Sequence, residues 1–335
     1  MMQPHECPMS ALRATRVVKH MRRGQNPAKF VNTVRRPERI TAAVLSYIPF
    51  LSGYYAEGLG VLKACMDSMR RDAGLPFDTM VFDNGSCPEV REHLVAEQEA
   101  GRIQYLLLSE RNVGKGGAWN IILGGAPGEI IAYCDSDVLF SPNWLRRSVE
   151  VLETYPNVGM VTARPFRTQP EFYQATLEWA KNKAELGSGS FIPWETFLEF
   201  NLSLGQTEEE NRKVYAETTD WRMIYGGVTA FAGASHWQFT GWKATLQRFL
   251  PFEMGKPMGE VRQLDKRVDE AGLLRLMVAE PLAMNLSNTL GHLRGEMGRR
   301  SGVPRRSLWR RLRDFGPLRK VLLAIHNRIF RWYYA

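Results

Sequence analysis

Short apolar runs alternate with segments of helical period between residues 40 and 165. Apolar runs of strand length end at Pro, Gly or Asp-Asn-Gly turn signals, and amphipathic stretches follow them. Pro142, after Ser141 as N-cap, is predicted to open the last of these helices. Such alternation predicts a parallel sheet with helices on both faces. The predicted strands are 40–48, 77–83, 102–108, 129–134 and 157–165, and the predicted helices are 58–71, 88–101, 113–125 and 141–156.

The pattern beyond residue 165 is less regular. A helix is predicted at 170–186, and 187–197 and the acidic stretch 206–213 are predicted to be loops. Small and apolar residues alternate at 225–239, which predicts a strand pair or hairpin. A helix at 259–272 and an extended segment at 273–284 complete the prediction.

Polar and glycine-rich stretches follow three of the predicted strands, at 83–86, 112–120 and 135–137. In open α/β sheets, ligands bind beyond the carboxyl ends of the strands. We therefore expect the three stretches to meet at one edge of the sheet and to form a site.

Asp135 and Asp137 stand one residue apart directly after the apolar run 129–134. Two carboxylates at this spacing can face one divalent cation, and hard cations such as Mg²⁺ or Mn²⁺ prefer carboxylate oxygens. The alternative is a solvated loop with an Asx turn. Asp83 closes a strand in the same manner and can accept hydrogen bonds from a nucleoside, or it can simply belong to a turn.

The loop 112–120 runs into a predicted helix and is rich in glycine. Helix N–H groups and the charge of Lys115 suit phosphate oxygens. The spacing is neither that of a P-loop nor G-x-G-x-x-G. The alternative is a helix N-terminus that packs closely on the sheet.

Charge divides the chain of 335 residues, whose formal net charge is +9, into three parts. Residues 1–39 carry +7 and residues 294–335 carry +10, so the body 40–293 carries −8. We interpret 1–39 as a basic arm and 294–335 as a basic amphipathic helical tail for an anionic membrane surface. A helical pair packed on the body or on a second subunit is the alternative. An acidic body argues against nucleic acid as a partner.

Apolar windows long enough to span a membrane are missing from the sequence, and so is the apolar core of a signal peptide. The four cysteines, at positions 7, 65, 87 and 134, form no C-x-x-C pair. Reduced thiols in a cytoplasmic protein are therefore expected, and a zinc site is not.

Together these motifs resemble the family 2 glycosyltransferases, well over 40–165 and more loosely over 225–290. The resemblance is carried by the strand ending near Pro49, Asp83–Ser86, the N-x-G-x-x-x-A-x-N pattern at Asn112–Asn120, Asp135–Asp137, and Phe140, Pro142, Trp144 and Leu145. It implies a GT-A fold: a Rossmann-like mixed sheet flanked by helices, with a donor-binding half (40–165) and an acceptor half (166–293). By the resemblance, Asp83 would hold the nucleoside, Asp135 the ribose or sugar, and Asp137 a Mn²⁺ or Mg²⁺ ion. The donor-binding residues it implies are Pro49, Asp83, Asn112, Gly114, Lys115, Asn120, Asp135 and Ser136.

Two positions depart from the family pattern. The Asp that serves many relatives as general base is replaced by Val261, which leaves Glu260 and Asp265 as candidates, with Asp220 as a different base. Asn285 stands where some relatives carry a metal-binding His, and an Asn oxygen can still be a ligand. His292 could substitute, but a surface position is favoured for it. Trp221, His236, Trp237 and Trp242 are expected near the acceptor or in the core.

The resemblance implies inverting transfer of a sugar from a nucleoside-diphosphate sugar to a hydroxyl. The expected acceptor is a cell-envelope glycan or a lipid-linked saccharide at the inner face of the cell membrane. A catalytically impaired nucleotide-sugar-binding scaffold is one alternative, supported by Val261 and Asn285. A nucleotidyltransferase is another, although 46–58 lacks the basic residues of its usual loop. A nucleic-acid-binding protein that uses the basic ends is a weaker third.

Overall fold

The computed structural model describes residues 24–255, 261–295 and 328. Residues 24–36 belong to a unit of their own and contain a 3₁₀ turn at Pro27–Phe30. All the elements described below lie from residue 37 onward. The predicted tail 294–335 lies almost wholly outside the described residues, as does most of the predicted arm 1–39.

A second unit begins at residue 37. Its described part contains strands and helices in alternation, as predicted for 40–165. Its strands are β1 (Ile40–Ser46), β2 (Asp78–Asp83), β3 (Tyr105–Leu108), β4 (Ile130–Asp135), β5 (Val138–Phe140), β6 (Val158–Thr162), β7 (Glu185–Gly189), β8 (Asp220–Tyr225), β9 (Val228–Ala232), β10 (Gln238–Trp242), β11 (Leu274–Val278) and β12 (Ala283–Asn285). Its α-helices are α1 (Gly58–Arg70), α2 (Pro88–Glu99), α3 (Gly114–Gly125), α4 (Trp144–Thr154), α5 (Gln174–Lys183), α6 (Trp194–Ser203), α7 (Glu208–Glu217), α8 (Lys243–Gln247) and α9 (Arg262–Glu270). Short 3₁₀ turns lie at Gly53–Tyr55 and Pro170–Phe172.

Ten of these strands form one mixed sheet in the order β3-β2-β1-β4-β10-β6-β11-β9-β8-β7. Strands β3, β2, β1 and β4 run parallel, which is the arrangement that crossover helices produce. Strand β10 is inserted antiparallel between β4 and β6. The predicted mixed α/β fold class is confirmed.

The side chains of β1 alternate between two hydrophobic cores, one on each face of the sheet. Ala42 and Val44 pack in the core that includes buried residues of α1, α2 and α4. Ala43 and Leu45 pack in the core that includes α3, α8 and α9. Because both faces are covered, the polar site is confined to the edge where the strands end.

The start of α4 differs from the prediction. The helix begins at Trp144, and Asn143 precedes it in the left-handed conformation with φ of 64°, so Ser141 is not its N-cap. The backbone N–H of Ser141 donates to Leu282 O, and that of Asn143 donates to Asp72 O. These two long-range bonds hold 141–143 as a turn.

Two predictions beyond residue 165 were wrong, and the strand pair or hairpin predicted at 225–239 was right only in part. The acidic stretch 206–213 is mostly helix α7, which opens with a capping box between Thr207 and Glu210. The predicted loop 187–197 contains the end of β7 and the start of α6. Strands β9 and β10 do not pair as a hairpin, because β9 pairs with β8 through the Gly226-Gly227 turn and with β11.

A buried carboxylate at the end of α2 supplies a prediction about stability and pH. Glu97 is 9% exposed and pairs with Arg102 at 2.5 Å and Arg70 at 2.9 Å. The hydrogen bond from Arg102, with that from Arg70, lowers the pKa of Glu97 from 4.5 to about 2. The ionised Glu97 therefore stabilises the fold fully at pH values above the pKa that Glu97 has in the unfolded chain. This stabilisation is lost as the pH falls through about 2, the pKa of Glu97 in the folded chain.

Glu97→Gln is expected to lower the free energy of unfolding at pH 7 by about 2 kcal/mol. The difference from the parent should shrink steadily below pH 4.5, which urea denaturation at several pH values measures. Glu99→Gln, exposed on the same helix, is the matched control and should change little. An equal loss at pH 3 and pH 7 would mean that packing rather than charge is responsible.

Candidate functional site

The ends of β1, β2 and β4 bring the predicted carboxylates to one edge of the sheet. Ser46 lies opposite Asp83 in the β1–β2 ladder, and Leu45 lies opposite Asp135 in the β1–β4 ladder. The strands are parallel, so their carboxyl ends meet there. The predicted convergence of the polar strand ends is thus confirmed.

A cavity of about 440 Å³ opens at this edge. Its polar floor is formed by Asp135, Ser136, Asp137 and Lys115, with Asn84 and Asn112 beside them. One wall is aromatic, with Tyr47, Tyr54 and Tyr55, and Ser287 and Asn288 close another side. Its size and its mixture of apolar walls with few polar groups are typical of small-molecule sites.

Asp135 is held by two donors from different elements. Lys115 Nζ donates to Oδ2 at 2.6 Å, and the hydroxyl of Tyr133 donates to Oδ1 at 2.6 Å. Burial and the charge of Asp135 raise the pKa of Tyr133 well above its ordinary value, so the phenol keeps its proton and donates. Both carboxylate oxygens therefore have a fixed direction at the cavity floor.

Asp137 has no such support. Its Oδ1 atom is buried and has no hydrogen-bond partner among the described residues. Burial, and then the charge of Asp135, raise the pKa of Asp137 from 3.8 to about 7. A buried carboxylate oxygen without a partner is costly, and a cation beside it would remove that cost.

The loop before α3 is locked by two asparagines. Asn84 accepts a hydrogen bond from Val113 N at 2.8 Å and donates to Asn112 Oδ1 at 2.9 Å. Asn112 Oδ1 also accepts from Gly114 N at 2.7 Å. Gly114 has φ of +73°, a conformation that favours glycine. The role of Asn84 was missed, because the sequence showed it only as part of a turn.

Asp83 is fully buried and does not line the cavity, although its neighbour Asn84 does. Its Oδ2 accepts from Ser86 N and pairs with Arg91 at 3.3 Å, while its Oδ1 is left without a partner in the part of the chain described. Its role in holding the nucleoside stays a prediction. An unpaired buried oxygen is compatible with that role.

Three other predicted donor residues, Gly114, Asn120 and Pro49, lie outside the set that lines the cavity. Asn120 uses its side-chain amide on the backbone of Phe252, donating to O at 3.0 Å and accepting from N at 2.6 Å. It thereby fastens the segment around Phe252 to α3. Pro49 follows β1 and likewise does not line the cavity.

A two-stranded sheet brings the backbone of Asn285 close to that of Asp137, although Asn285 does not line the cavity. Strand β12 pairs antiparallel with β5, so Asn285 lies opposite Val138, and Leu286 N donates to Asp137 O at 2.7 Å. The Asn285 Oδ1 atom accepts from Ser287 N at 2.6 Å. Within the described residues, no group of three or more His, Cys, Asp or Glu side chains could hold a metal. Any ion here would therefore depend on Asp137, Asn285 and ligands from the substrate.

The candidate bases occupy different surroundings. Glu260 lies outside the described residues. Asp265, at the start of α9, is buried and pairs with Arg275 at 2.7 Å and with His236 Nδ1 at 2.6 Å. Asp220 pairs with Arg167 at 2.7 Å and also accepts from Ile192 N. His292 lies 3.8 Å from Glu199 and does not line the cavity.

The aromatic residues expected on the acceptor side have mixed positions. Trp237 is buried against Phe200 and Phe166, so it belongs to the core. Trp242 lies under Arg39. The aromatic wall of the cavity comes instead from the Tyr-rich segment after β1, which the sequence showed only as lacking basic residues.

Comparison with known proteins gives a family and several distant relatives. The model of glycosyl transferase family 2 matches residues 54–211 and confirms the resemblance inferred from the motifs. An uncharacterized glycosyltransferase of Nostoc sp. is 29% identical over 100 residues, which are 30% of this chain and 31% of the relative. This chain thus spans about a third of the curated relative it matches.

Solved structures align with 74% of this chain, and two of them are the following. A mannosyltransferase from Pyrobaculum calidifontis, in complex with GDP-Man and Mn²⁺, aligns over 55% of its own length with a TM-score of 0.43 and 17% identity. GalNAc-T7 with UDP, GalNAc and Mn²⁺ aligns over 44% of its length with a TM-score of 0.46 and 11% identity.

Proposed function

We propose that this chain, a member of glycosyl transferase family 2 over residues 54–211, transfers a sugar from a nucleoside-diphosphate sugar to a hydroxyl acceptor. The observation that carries the proposal is the cavity at the strand ends, with Asp135, Asp137 and Lys115 on its floor. A sugar needs fixed acceptors, which Asp135 supplies, and a diphosphate needs positive charge, which Lys115 would supply together with a cation at Asp137.

Five side chains of the cavity have a part in this reaction. The charge of Lys115 stabilises the diphosphate as negative charge grows on it. Asp135, fixed by Lys115 and Tyr133, orients hydroxyls of the ribose or sugar. The aromatic wall of Tyr47, Tyr54 and Tyr55 packs against the flat face of a base or the C–H surface of a sugar.

The residues present fit a divalent cation. The unpartnered Asp137 Oδ1 and the oxygen chemistry of Asn285 suit Mn²⁺ or Mg²⁺. Such an ion would offset charge on the leaving nucleoside diphosphate.

A panel of nucleotides tests the donor site directly. UDP, GDP, dTDP and CDP are added separately, with and without Mn²⁺, and thermal unfolding is followed. A ligand at a hundredfold excess over its Kd stabilises the fold by about 2.7 kcal/mol. We expect one nucleotide to raise the Tm in a metal-dependent way. If none raises it, the chain has no donor site of this kind.

A second candidate is a nucleotide-sugar-binding protein that does not transfer. It is favoured by Val261 at the usual base position and by Asp265, whose two oxygens are already paired. Release of nucleoside diphosphate from a sugar nucleotide separates the two functions, because a binding protein releases none.

We propose as acceptor a cell-envelope glycan or lipid-linked saccharide, with inversion at the sugar carbon. Peripheral membrane attachment from the cytoplasmic side rests on the charge pattern of 294–335, which lies almost entirely beyond the described residues. None of the helices described is long and apolar enough to cross a bilayer. Flotation with anionic vesicles, compared with neutral ones, tests the attachment.

A further inference from the structure

A chain of three side chains lies on the acceptor half and begins one residue before Trp237, whose carbonyl accepts a hydrogen bond from Asp135 N. His236 Nδ1 is 2.6 Å from Asp265 Oδ2, and Asp265 Oδ1 accepts from Arg275 at 2.7 Å. Asp265 and Arg275 are buried, with side chains 6% and 1% exposed, whereas the His236 side chain is 22% exposed. The chain thus runs from the interior to an imidazole that solvent or substrate can reach.

The pairing fixes the form of the imidazole. An ionised carboxylate only accepts hydrogen bonds, so Nδ1 carries the proton that lies towards Asp265. In the neutral ring, Nε2 is then the free acceptor. Asp265 is neutralised by Arg275 and has both oxygens engaged, which makes it a poor base itself.

The backbone brings His236 close to Asp135. Gln238 lies opposite Cys134, and beyond that pair Trp237 O accepts from Asp135 N at 2.9 Å. His236 and Trp237 form the turn that the Ser235–Gln238 bridge closes, so His236 stands one residue from the carbonyl that holds Asp135, a residue of the cavity floor.

The surroundings of His236 are rigid. Its ring lies 6.4 Å from the ring of Trp119, over which Lys115 Nζ sits at 5.4 Å. The backbone before it is held by Arg275, which donates to Ala234 O, and by Ser235 N, which donates to Thr162 Oγ1 at 2.9 Å. A base must be held in place to act, and these bonds hold this one.

We propose that His236 Nε2 accepts the proton of the acceptor hydroxyl, and that Asp265 and Arg275 are positioning residues. The inference rests on the proposed glycosyl transfer. The hydroxyl O–H bond breaks and its proton goes to Nε2, while the oxygen forms the new bond to the sugar carbon. The bond from that carbon to the phosphate oxygen breaks, and its electron pair leaves with the nucleoside diphosphate. This assignment replaces Asp265 as the direct base.

The pH profile is the readout that a structural histidine would not change. The ring must be neutral to accept a proton, so turnover should be lost in acid, once the ring carries a second proton. The charged groups around the ring are Asp265 on α9, Arg275 on β11, and, across Trp119, Lys115 on α3 with its partner Asp135.

The test measures nucleoside diphosphate released from UDP-glucose, UDP-GlcNAc and GDP-mannose with Mn²⁺, between pH 5 and 9, with the full chain. We expect His236→Gln to lower kcat by a factor of about 10²–10⁴. The Tm rise produced by the nucleotide should be unchanged. The fall of the rate at low pH (the acid limb of the pH profile) should be lost. Imidazole added to His236→Ala should restore part of the rate. His292→Gln, which removes a histidine of similar exposure (24%), is the matched control and should behave as the parent.

Asp265→Asn tests the positioning role. The neutral amide can still form a hydrogen bond with the His236 ring. We therefore expect a smaller loss of kcat than in His236→Gln, and an acid limb that lies at a different pH from that of the parent. If His236→Gln turns over as fast as the parent, this proposal is overturned, while the proposed function stands. The same holds if its rate still falls in acid as in the parent, because another group, such as Asp137, then explains that fall. If His236→Gln loses both the nucleotide-induced Tm rise and turnover, His236 has a structural role, and the proposal is overturned as well. A parent chain that shows neither a Tm rise nor release overturns the proposed function, and this inference with it.

Discussion

Asp137→Asn is expected to lower the rate of sugar transfer by a factor of about 10²–10³. The substitution keeps the shape of the side chain and removes its charge from the cavity floor. The buried Oδ1 has no partner in the described structure, so a cation beside it would stabilise the ionised carboxylate. Release of nucleoside diphosphate from UDP-glucose, UDP-GlcNAc and GDP-mannose measures the loss.

The same substitution should not harm the fold. Burial and Asp135 hold the pKa of Asp137 at about 7, so its ionised form destabilises the empty site above that pH. At pH 8, Asp137→Asn should therefore have an equal or higher Tm than the parent. The gain in its free energy of unfolding should be at most on the order of 1 kcal/mol. Glu92→Gln, exposed on α2, is the control for both measurements. Full turnover in Asp137→Asn would show that the carboxylate is only part of a turn.

The sheet edge that carries Asp83 and Asp135 could be predicted, because the sequence patterns that indicate it involve only neighbouring residues. Apolar runs ending at Asp83 and Asp135 mark two strands, and the parallel order that connecting helices impose brings both ends beside β1. The polar stretches after the strands follow from turn chemistry, which needs only neighbouring residues. Asn84, in contrast, acts through contacts with 112–114, and no local pattern gives that distance.

The acceptor side could not be predicted in the same way. Strand β10 joins the sheet between β4 and β6, far from its chain neighbour β9, and this insertion brings Trp237, and with it His236, to Asp135. The motif located Asp265, but its partners stand 10 residues later and 29 residues earlier. Such pairings are set by tertiary packing. Helix α7 is a different case, because Thr207 and Glu210 form a capping box that could have been recognised.

Removing Arg167 should be among the most destabilising single changes outside the hydrophobic cores. Its guanidinium lies 2.7 Å from Asp220 Oδ1 and 4.0 Å from the Tyr215 ring centre, and it donates to Tyr215 O and Thr218 O. The Arg167 and Asp220 side chains are 6% and 1% exposed. Arg167→Ala leaves a buried carboxylate without its cation, which costs about 3–5 kcal/mol. Urea denaturation monitored by tryptophan fluorescence measures the loss.

The double variant Arg167→Ala/Asp220→Asn separates charge from packing. A neutral amide needs no counter-charge, so it should regain part of the lost stability. Arg212→Ala breaks an exposed pair with Glu208, whose side chains are 67% and 52% exposed, and should cost less than about 1 kcal/mol. Asp220→Asn alone should lower stability rather than act on the chemical step, since both oxygens of Asp220 are already paired. A stable Asp220→Asn variant that binds nucleotide but no longer turns over would instead make Asp220 the base.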